Sequence, residues 1–281
     1  LAFPLLKELT EVGDPLAKRV FKSEIIKRFE QGNKNTRSYL GLEGFLQYLT
    51  DEEYLDLILD TENQIALTEL AEEVWPHRDP YEVIFMLLDG KRIKLENKRV
   101  IKLDFSGFTL KLGKFPKAIL NLKSLKVLYF GRNYISNIPE EIKKLSFLRE
   151  LVIGSNKLTL IPDSICEITS LEALWLGGNK IQSLPENIGD LINLKILRAG
   201  SNQLKKLPES FSKLKSLENL SLSNNELKEL PECIKKLPHL EYLDVRSNPL
   251  VKNPKIIEKI EKLKIKKILG IKRKAKPFRI F

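Results

Sequence analysis

The sequence predicts an α/β fold in which a solenoid of short parallel strands follows an all-helical N-terminal domain. Two observations predict the solenoid: leucines recur every 23 residues through the middle of the chain, and an asparagine and a proline recur in step with them. A third observation predicts the helical domain, because the apolar residues of positions 1–90 follow helical spacing instead. A single row cannot bury its own apolar side chains, so the rows must stack on one another.

The repeat consists of columns that contain one residue from each row. The two leucine columns are Leu125, Leu148, Leu171, Leu194, Leu217 and Leu240, and, three positions later, Leu128, Leu151, Leu174, Leu197, Leu220 and Leu243. The polar column is Asn133, Asn156, Asn179, Asn202, Asn225 and Asn248, and the proline column is Pro139, Pro162, Pro185, Pro208, Pro231 and Pro254. Chance does not readily produce two such columns in step, so the period predicts the fold.

Each row is predicted to contain one short strand and then a bend. Residues 126–130 alternate in the manner of a strand, with Leu128 directed inward and Tyr129 outward. Asn133 stands at the bend, where its amide can donate to and accept from backbone groups that would otherwise be buried without partners. Pro139 then begins an extended or short helical turn on the far side, where no strand partner is needed.

A further row precedes these six, because Leu103 and Phe105 match the strand columns, although Phe108 stands where asparagine is expected. The prediction is therefore seven parallel strands on the concave side, within repeats that span residues 100–254. A solenoid needs a cover at each open end. Residues 91–99 are predicted to form a hairpin strand that pairs antiparallel with the strand of the first row and caps it.

Residues 1–90 are predicted to form a helical domain or cap. Helical spacing covers Phe3–Val12, Pro15–Gln31, Arg37–Leu49, Glu52–Asp60, Glu62–Val74 and Tyr81–Leu88. Thr50 and Glu53 have the spacing of a capping box. This region is either a cap that only covers the end of the solenoid or a separate interaction module, and the sequence leaves both possibilities open.

Residues 255–281 are predicted to form a C-terminal capping helix and a basic tail. The helix should cover Lys255–Lys267 and close the last row with one apolar face, formed by Ile256, Ile257, Ile260 and Leu263. The net charge is −6 for residues 1–98, +7 for residues 99–249 and +10 for residues 250–281. The basic character of the chain is thus concentrated in the tail and says little about what the sheet binds.

The row form LxxLxLxxNxLxxLPxxIxxL resembles the leucine-rich-repeat superfamily, in particular the intracellular 23-residue subclass of Ras-suppressor and plant Ras-group-related proteins. The resemblance covers residues 100–254. It implies a non-enzymatic scaffold that binds a protein or peptide, with small GTPases and their regulators as the suggested partners. The combination with a helical N-terminal region also resembles archaeal leucine-rich-repeat proteins of that organisation.

No arrangement of residues indicates catalysis, a metal site or a cofactor. The two histidines, His77 and His239, lack Cys or His neighbours at metal-ligand spacing. Cys166 and Cys233 stand three rows apart, about 14 Å at roughly 4.8 Å per row, which is too far for a disulfide. The low cysteine content and the lack of a visible signal peptide or membrane-spanning run predict a cytoplasmic protein, which we expect to be a monomer.

The outward-facing strand positions form the predicted binding surface. Apolar and aromatic residues cluster in the second to fifth rows with charged residues around them, as at protein-binding hot spots. Beside them lies a column of four glycines, Gly131, Gly154, Gly177 and Gly200, which is predicted to leave room for a partner. The predicted partner-binding residues are Val127, Tyr129, Arg132, Glu150, Val152, Trp175, Ile196, Arg198, Tyr242, Asp244 and Arg246.

Two alternatives remain for this surface: its residues have drifted without a binding role, or the helical region folds back over it. The alternative function is an electrostatic one, in which the tail binds nucleic acid or an anionic membrane. The residues that would meet phosphates are Lys264, Lys266, Lys267, Lys272, Arg273, Lys274 and Lys276. Such binding should weaken steeply with salt.

Overall fold

The computed structural model describes residues 3–108, 113–230, 232–263 and 265–270. Within them, a helical region precedes a nine-stranded sheet whose strands are hydrogen-bonded in chain order. The α-helices are α1 (Phe3–Glu11), α2 (Pro15–Gln31), α3 (Lys34–Leu42), α4 (Asp51–Ile58), α5 (Thr61–Val74), α6 (Pro80–Asp89) and α7 (Pro254–Glu261). The strands are β1 (Ile93–Glu96), β2 (Arg99–Asp104), β3 (Val127–Tyr129), β4 (Glu150–Val152), β5 (Ala173–Trp175), β6 (Ile196–Arg198), β7 (Asn219–Ser221), β8 (Tyr242–Asp244) and β9 (Lys267–Leu269).

The strand register follows the columns of the sequence. β1 pairs antiparallel with β2, and the pairs from β2 to β9 are parallel. Tyr129 lies beside Val152, Val152 beside Trp175, and Trp175 beside Arg198. Residues that occupy one column in the sequence are therefore neighbours across the sheet, as a repeat without insertions requires.

The C-terminal end differs from the predicted one. The helix predicted over Lys255–Lys267 ends at Glu261, and the chain then returns to the sheet as β9, a parallel strand that was not predicted. Ile265 is buried, and Ile268 pairs with Leu243 and extends the inward leucine column. Ile265 is thus buried and Ile268 partly buried against the core, which favours the strand, because a continued helix would not bring Ile268 into that column.

The asparagine column forms a hydrogen-bonded ladder between rows. The side-chain oxygen of Asn156 accepts from the backbone N–H groups of Asn133 and Ile135, at 3.0 and 2.9 Å. Its Nδ2 donates to the carbonyl oxygens of Phe130 and Ile153, both at 3.0 Å. In each later row the asparagine accepts from one backbone N–H of the preceding row and donates to carbonyl oxygens of the preceding row and of its own; these residues are Asn179, Asn202, Asn225 and Asn248. The ladder satisfies backbone groups that the bend buries.

The glycine column is explained by close packing between rows rather than by room for a partner. A Cβ atom on Gly154 would lie 2.8 Å from the carbonyl oxygen of Gly177, and one on Gly131 or Gly177 would lie 3.3 Å from the carbonyl oxygen of the next glycine. A side chain at these positions would therefore press on the backbone of the adjacent row. The column allows the rows to approach each other at this bend.

The convex side carries a short 3-10 helix in successive rows. These helices are Lys117–Asn121, Glu140–Lys144, Asp163–Glu167, Ile188–Asp190, Glu209–Lys213, Glu232–Lys236 and Pro249–Lys252. The helix at Glu140–Lys144 begins directly after Pro139, which fits the turn predicted from the proline column. A 3-10 helix advances further per residue than an α-helix, so a few residues span the back of each row.

The helical region contributes to two separate cores. Helices α4 to α6 share one continuous core with the solenoid, in which Leu70, Ile84 and Phe105 are fully buried. Helices α1 to α3 surround a small core of their own, built from Phe3, Leu6, Phe21, Ile25, Leu40, Phe45, Leu49 and Leu57. Helix α5 packs against the convex helix Lys117–Asn121, and α6 lies against β1. The region thus covers the first edge of the solenoid.

Local sequence signals set most helix ends. The capping box of Thr50 and Glu53 is present at the start of α4. The helix predicted over Arg37–Leu49 is instead divided into α3 and the 3-10 helix Phe45–Tyr48, because Gly44 between them adopts a left-handed conformation with φ of 70°. Glycine takes that conformation at little cost, and it interrupts an α-helix.

Candidate partner-binding surface

Four side chains that neighbour one another across β3 to β6 form what we call the concave patch: Tyr129, Val152, Trp175 and Arg198. The first three are half-buried and Arg198 is exposed. The other predicted residues surround them as follows: Val127, Glu150, Ile196 and Tyr242 are half-buried strand residues, and Arg132 and Arg246 are exposed. Strand pairing therefore brings most of the predicted residues onto one face.

The centre of the patch is a contact between a cation and an aromatic ring. The Arg198 guanidinium carbon lies 4.4 Å from the centre of the Trp175 ring system. Such a contact is worth about 0.5–1 kcal/mol at an exposed site and more when water is excluded. The Trp175 indole nitrogen is buried and has no hydrogen-bond partner within the described chain. The indole is thus held in place mainly by packing and by Arg198.

A second cation–aromatic contact lies at the N-terminal side of the patch. The Lys102 ammonium lies 4.7 Å from the centre of the Tyr129 ring, and the Tyr129 hydroxyl donates to a Glu150 carboxylate oxygen at 3.2 Å. Burial raises the pKa of the Tyr129 hydroxyl, and the negative charge of Glu150 raises it further. The tyrosine therefore stays protonated and acts as a hydrogen-bond donor that holds Glu150.

The C-terminal end of the surface differs from the predicted one at Asp244. The register predicts an exposed carboxylate there, but Asp244 is 2% exposed. Arg246 donates to its two carboxylate oxygens at 3.0 and 2.7 Å. Burial raises the pKa of Asp244, but the hydrogen bonds and charge of Arg246 outweigh it, so that the pKa lies below its usual range. Asp244 therefore positions Arg246, which is the group exposed to a partner.

Residues outside the predicted set also belong to this face. Lys267 on β9 lies beside Tyr242, and its ammonium is 5.8 Å from the ring centre. The sequence did not place Lys267 on this face, because β9 was not predicted. Lys102, by contrast, lies in the outward column next to that of the concave patch, where the strand register pairs it with Val127. Three aromatic rings of the face are thus each in contact with a cationic side chain from a neighbouring strand.

Arg132 lies just beyond the strand, at the rim of the surface. Its backbone is left-handed, with φ of 61°, and Ser155, Ser201, Asn224 and Ser247 adopt the same conformation at the equivalent positions of later rows. The turn geometry of the repeat, and not a special role of Arg132, accounts for this conformation. Its exposed side chain extends from a fixed point one residue past the glycine column.

The described residues contain no group of three or more His, Cys, Asp or Glu side chains arranged to hold a metal ion. Cys166 is buried, and burial raises the pKa of its thiol to about 12. A thiol with that pKa is protonated at neutral pH and is a poor nucleophile. Within the part of the chain that the structure covers, no helix is long and apolar enough to cross a membrane.

Two family models match the chain. The model described as "Leucine-rich repeat region" matches residues 169–276, and the one described as "Leucine rich repeat" matches residues 124–181. A comparison with curated proteins gave no match.

Solved structures with the same architecture include two bacterial proteins. A leucine-rich-repeat protein of Leptospira interrogans is 39% identical to this chain, with 55% of this chain and 39% of that chain covered and a TM-score of 0.53. An internalin of Listeria monocytogenes is 22% identical, with coverages of 63% and 54% and a TM-score of 0.51, and that likeness concerns the fold alone.

This chain therefore matches less than two thirds of the length of either bacterial protein. The segments matched by the family models include the rows from residue 124 onward, with the asparagine ladder and the strands β3 to β9. Together the two models match residues 124–276, and both describe that part of this chain as a leucine-rich repeat.

Proposed function

We propose that this chain is a non-enzymatic scaffold that binds a protein or peptide partner on its concave sheet. Leucine-rich-repeat proteins generally mediate interactions between proteins. The observation that best supports this face is the concave patch itself, where half-buried Tyr129, Val152 and Trp175 adjoin one another on a surface bordered by charge. Aromatic and arginine side chains in such a setting are the residues that most often dominate binding energy.

The predicted partner-binding residues other than Asp244 remain the proposed contact set. The helical region covers the first edge of the solenoid through α5 and α6, which is consistent with a capping role and with an accessible concave face. The resemblance to Ras-suppressor and plant Ras-group-related proteins suggests a small GTPase or its regulator as the partner. That partner class, a cytoplasmic location and a monomeric state remain part of the proposal.

Loss of two aromatic side chains from the concave patch should abolish partner capture. We expect the variant Tyr129→Ala with Trp175→Ala to retain nearly the melting temperature of the wild type, because both side chains are only half-buried. Its capture of host proteins in affinity purification should fall to background, since truncation of a hot-spot residue costs about 2 kcal/mol or more.

A matched control replaces two exposed apolar residues elsewhere, in the variant Leu160→Ala with Ile192→Ala. This control should capture the same proteins as the wild type. Unchanged capture by the Tyr129 and Trp175 variant would contradict the proposed site.

The alternative electrostatic function depends on a tail that lies almost wholly outside the described residues. Lys264, Lys272, Arg273, Lys274 and Lys276 are not described. Of the other two, Lys266 forms an ion pair with Glu241, and Lys267 lies over Tyr242 on the concave face. Binding of nucleic acid or membrane by the tail therefore remains a prediction, and no contact among the described residues supports it.

A further inference from the structure

The acidic groups of the concave face already have partners within the chain. Glu150 accepts from the Tyr129 hydroxyl, and Asp244 accepts two hydrogen bonds from Arg246. Asp104 accepts from the backbone N–H of Ser106 at 2.9 Å and lies 3.9 Å from the Arg92 guanidinium. Asp104 and Asp244 are thus each paired with an arginine, whereas Glu150 is held by a neutral hydroxyl and keeps its negative charge.

The cations of the same face are in a different situation. Lys102, Arg198 and Lys267 each lie over an aromatic ring, and none of them forms an ion pair with a carboxylate in the described chain. A ring face holds a cation but satisfies none of its N–H donors. These three cations outnumber Glu150, which among the three carboxylates named above has no cationic partner in the described chain, so the surface is net positive. The N–H donors of the three cations are available to an incoming acceptor.

We infer that the partner presents an acidic, extended peptide segment to this face, with a carboxylate on Arg198 and an apolar side chain on Val152. This inference rests on the proposed function and names the chemistry of its partner. An arginine can bind a carboxylate through two parallel hydrogen bonds. The Trp175 ring beside Arg198 shields such a pair from water on one side and strengthens it.

The strand spacing sets the expected spacing of the peptide residues. Val152 lies on β4 and Arg198 on β6, two strand spacings apart, which is about 10 Å at roughly 4.8 Å per strand. An extended peptide that crosses the strands rises about 3.3 Å per residue. The apolar and acidic residues should therefore stand three positions apart. Lys267 is three strands beyond Arg198 and one outward column to the side, which together make about 16 Å, so a second acidic residue should follow about five positions later.

The same observations favour a peptide over nucleic acid. Single-stranded nucleic acids bind by stacking bases on open aromatic faces. Here cations already lie over the rings of Tyr129, Trp175 and Tyr242, so a base would have to displace them.

The test is a selection from a display library of random peptides against the full-length chain. The wild type should enrich peptides in which Asp or Glu stands three positions from an aliphatic residue. The variant Arg198→Glu should bind the selected acidic peptides about tenfold more weakly or worse, and a fresh selection on it should enrich Lys or Arg at the same position. Lys205→Glu makes the same charge change at an exposed site of the same repeat and should behave as the wild type.

The other outcomes overturn the inference in distinguishable ways. Selected peptides without acidic enrichment, which still require Tyr129 and Trp175, would refute the acidic partner and leave the proposed function standing. If no peptide binds the wild type better than it binds the Tyr129→Ala, Trp175→Ala variant, the acidic partner is refuted. The proposal that peptides bind this face is then refuted as well. If Arg198→Glu abolishes binding of a labelled oligouridine that the wild type binds more tightly than it binds the selected peptides, the surface is a nucleic-acid site instead.

Discussion

Replacement of Asn156 by alanine should lower the free energy of unfolding by about 3 kcal/mol, because it leaves several buried backbone groups without partners. The Asn156 side chain accepts from two backbone N–H groups and donates to carbonyl oxygens of two rows. Each buried donor left unsatisfied costs about 1–3 kcal/mol. An alanine side chain can replace none of these bonds.

Urea denaturation monitored by circular dichroism measures this loss. Hydrogen exchange should also localise it, with faster exchange at the amides of Asn133 and Ile135, which bond to the Asn156 oxygen. The matched control is Asn137→Ala, since Asn137 is exposed. We expect a change within about 0.5 kcal/mol for the control. Equal effects of the two substitutions would contradict the ladder as a source of stability.

Replacement of Phe105 by alanine should cost about 3–5 kcal/mol, the usual range for loss of a buried phenylalanine. Phe105 is fully buried where the helical region meets the repeats. Its ring centre lies 5.7 Å from that of Trp75, at the end of α5, and 5.6 Å from that of Phe130, in the next row. The cavity would therefore loosen the contact between the helices and the solenoid as well as the first row.

Hydrogen exchange distinguishes this coupling from a purely local defect. In the Phe105→Ala variant, protection should fall in α5 and β2 together, because both border the cavity. The control is Phe147→Ala, a phenylalanine that is 62% exposed, and it should leave protection and stability nearly unchanged. A Phe105 variant in which α5 keeps full protection would show that the helical region is stable without its contact to the solenoid.

The repeats could be predicted from the sequence because one set of physical constraints recurs in every row. Leucine at the inward positions, asparagine at the bend and proline after it each satisfy the same local requirement six times, and the period fixes the strand register. The outward columns followed from that register without further information. Tyr129, Val152, Trp175 and Arg198 could therefore be placed side by side in advance.

Features outside the period could not be predicted in the same way. The strand at Lys267–Leu269 lacks the repeat motif, and its pairing depends on a turn after α7 that places Ile265 and Ile268 against the core. The burial of Asp244 depends on the side-chain conformation of Arg246, which no column records. The close approach of the glycine column reflects distances between rows, which a sequence does not contain.

The most direct test of the central claim is site-specific photo-crosslinking from the concave patch. A benzoylphenylalanine at Val152 on β4 places the reactive group on the proposed surface, and the same residue at exposed Glu167 places it on the convex side. After irradiation of the full chain in lysate of its native host, we predict a crosslinked protein adduct from position 152 and none from position 167. An adduct from position 167 alone, or equal adducts from both positions, would contradict partner binding on the concave sheet.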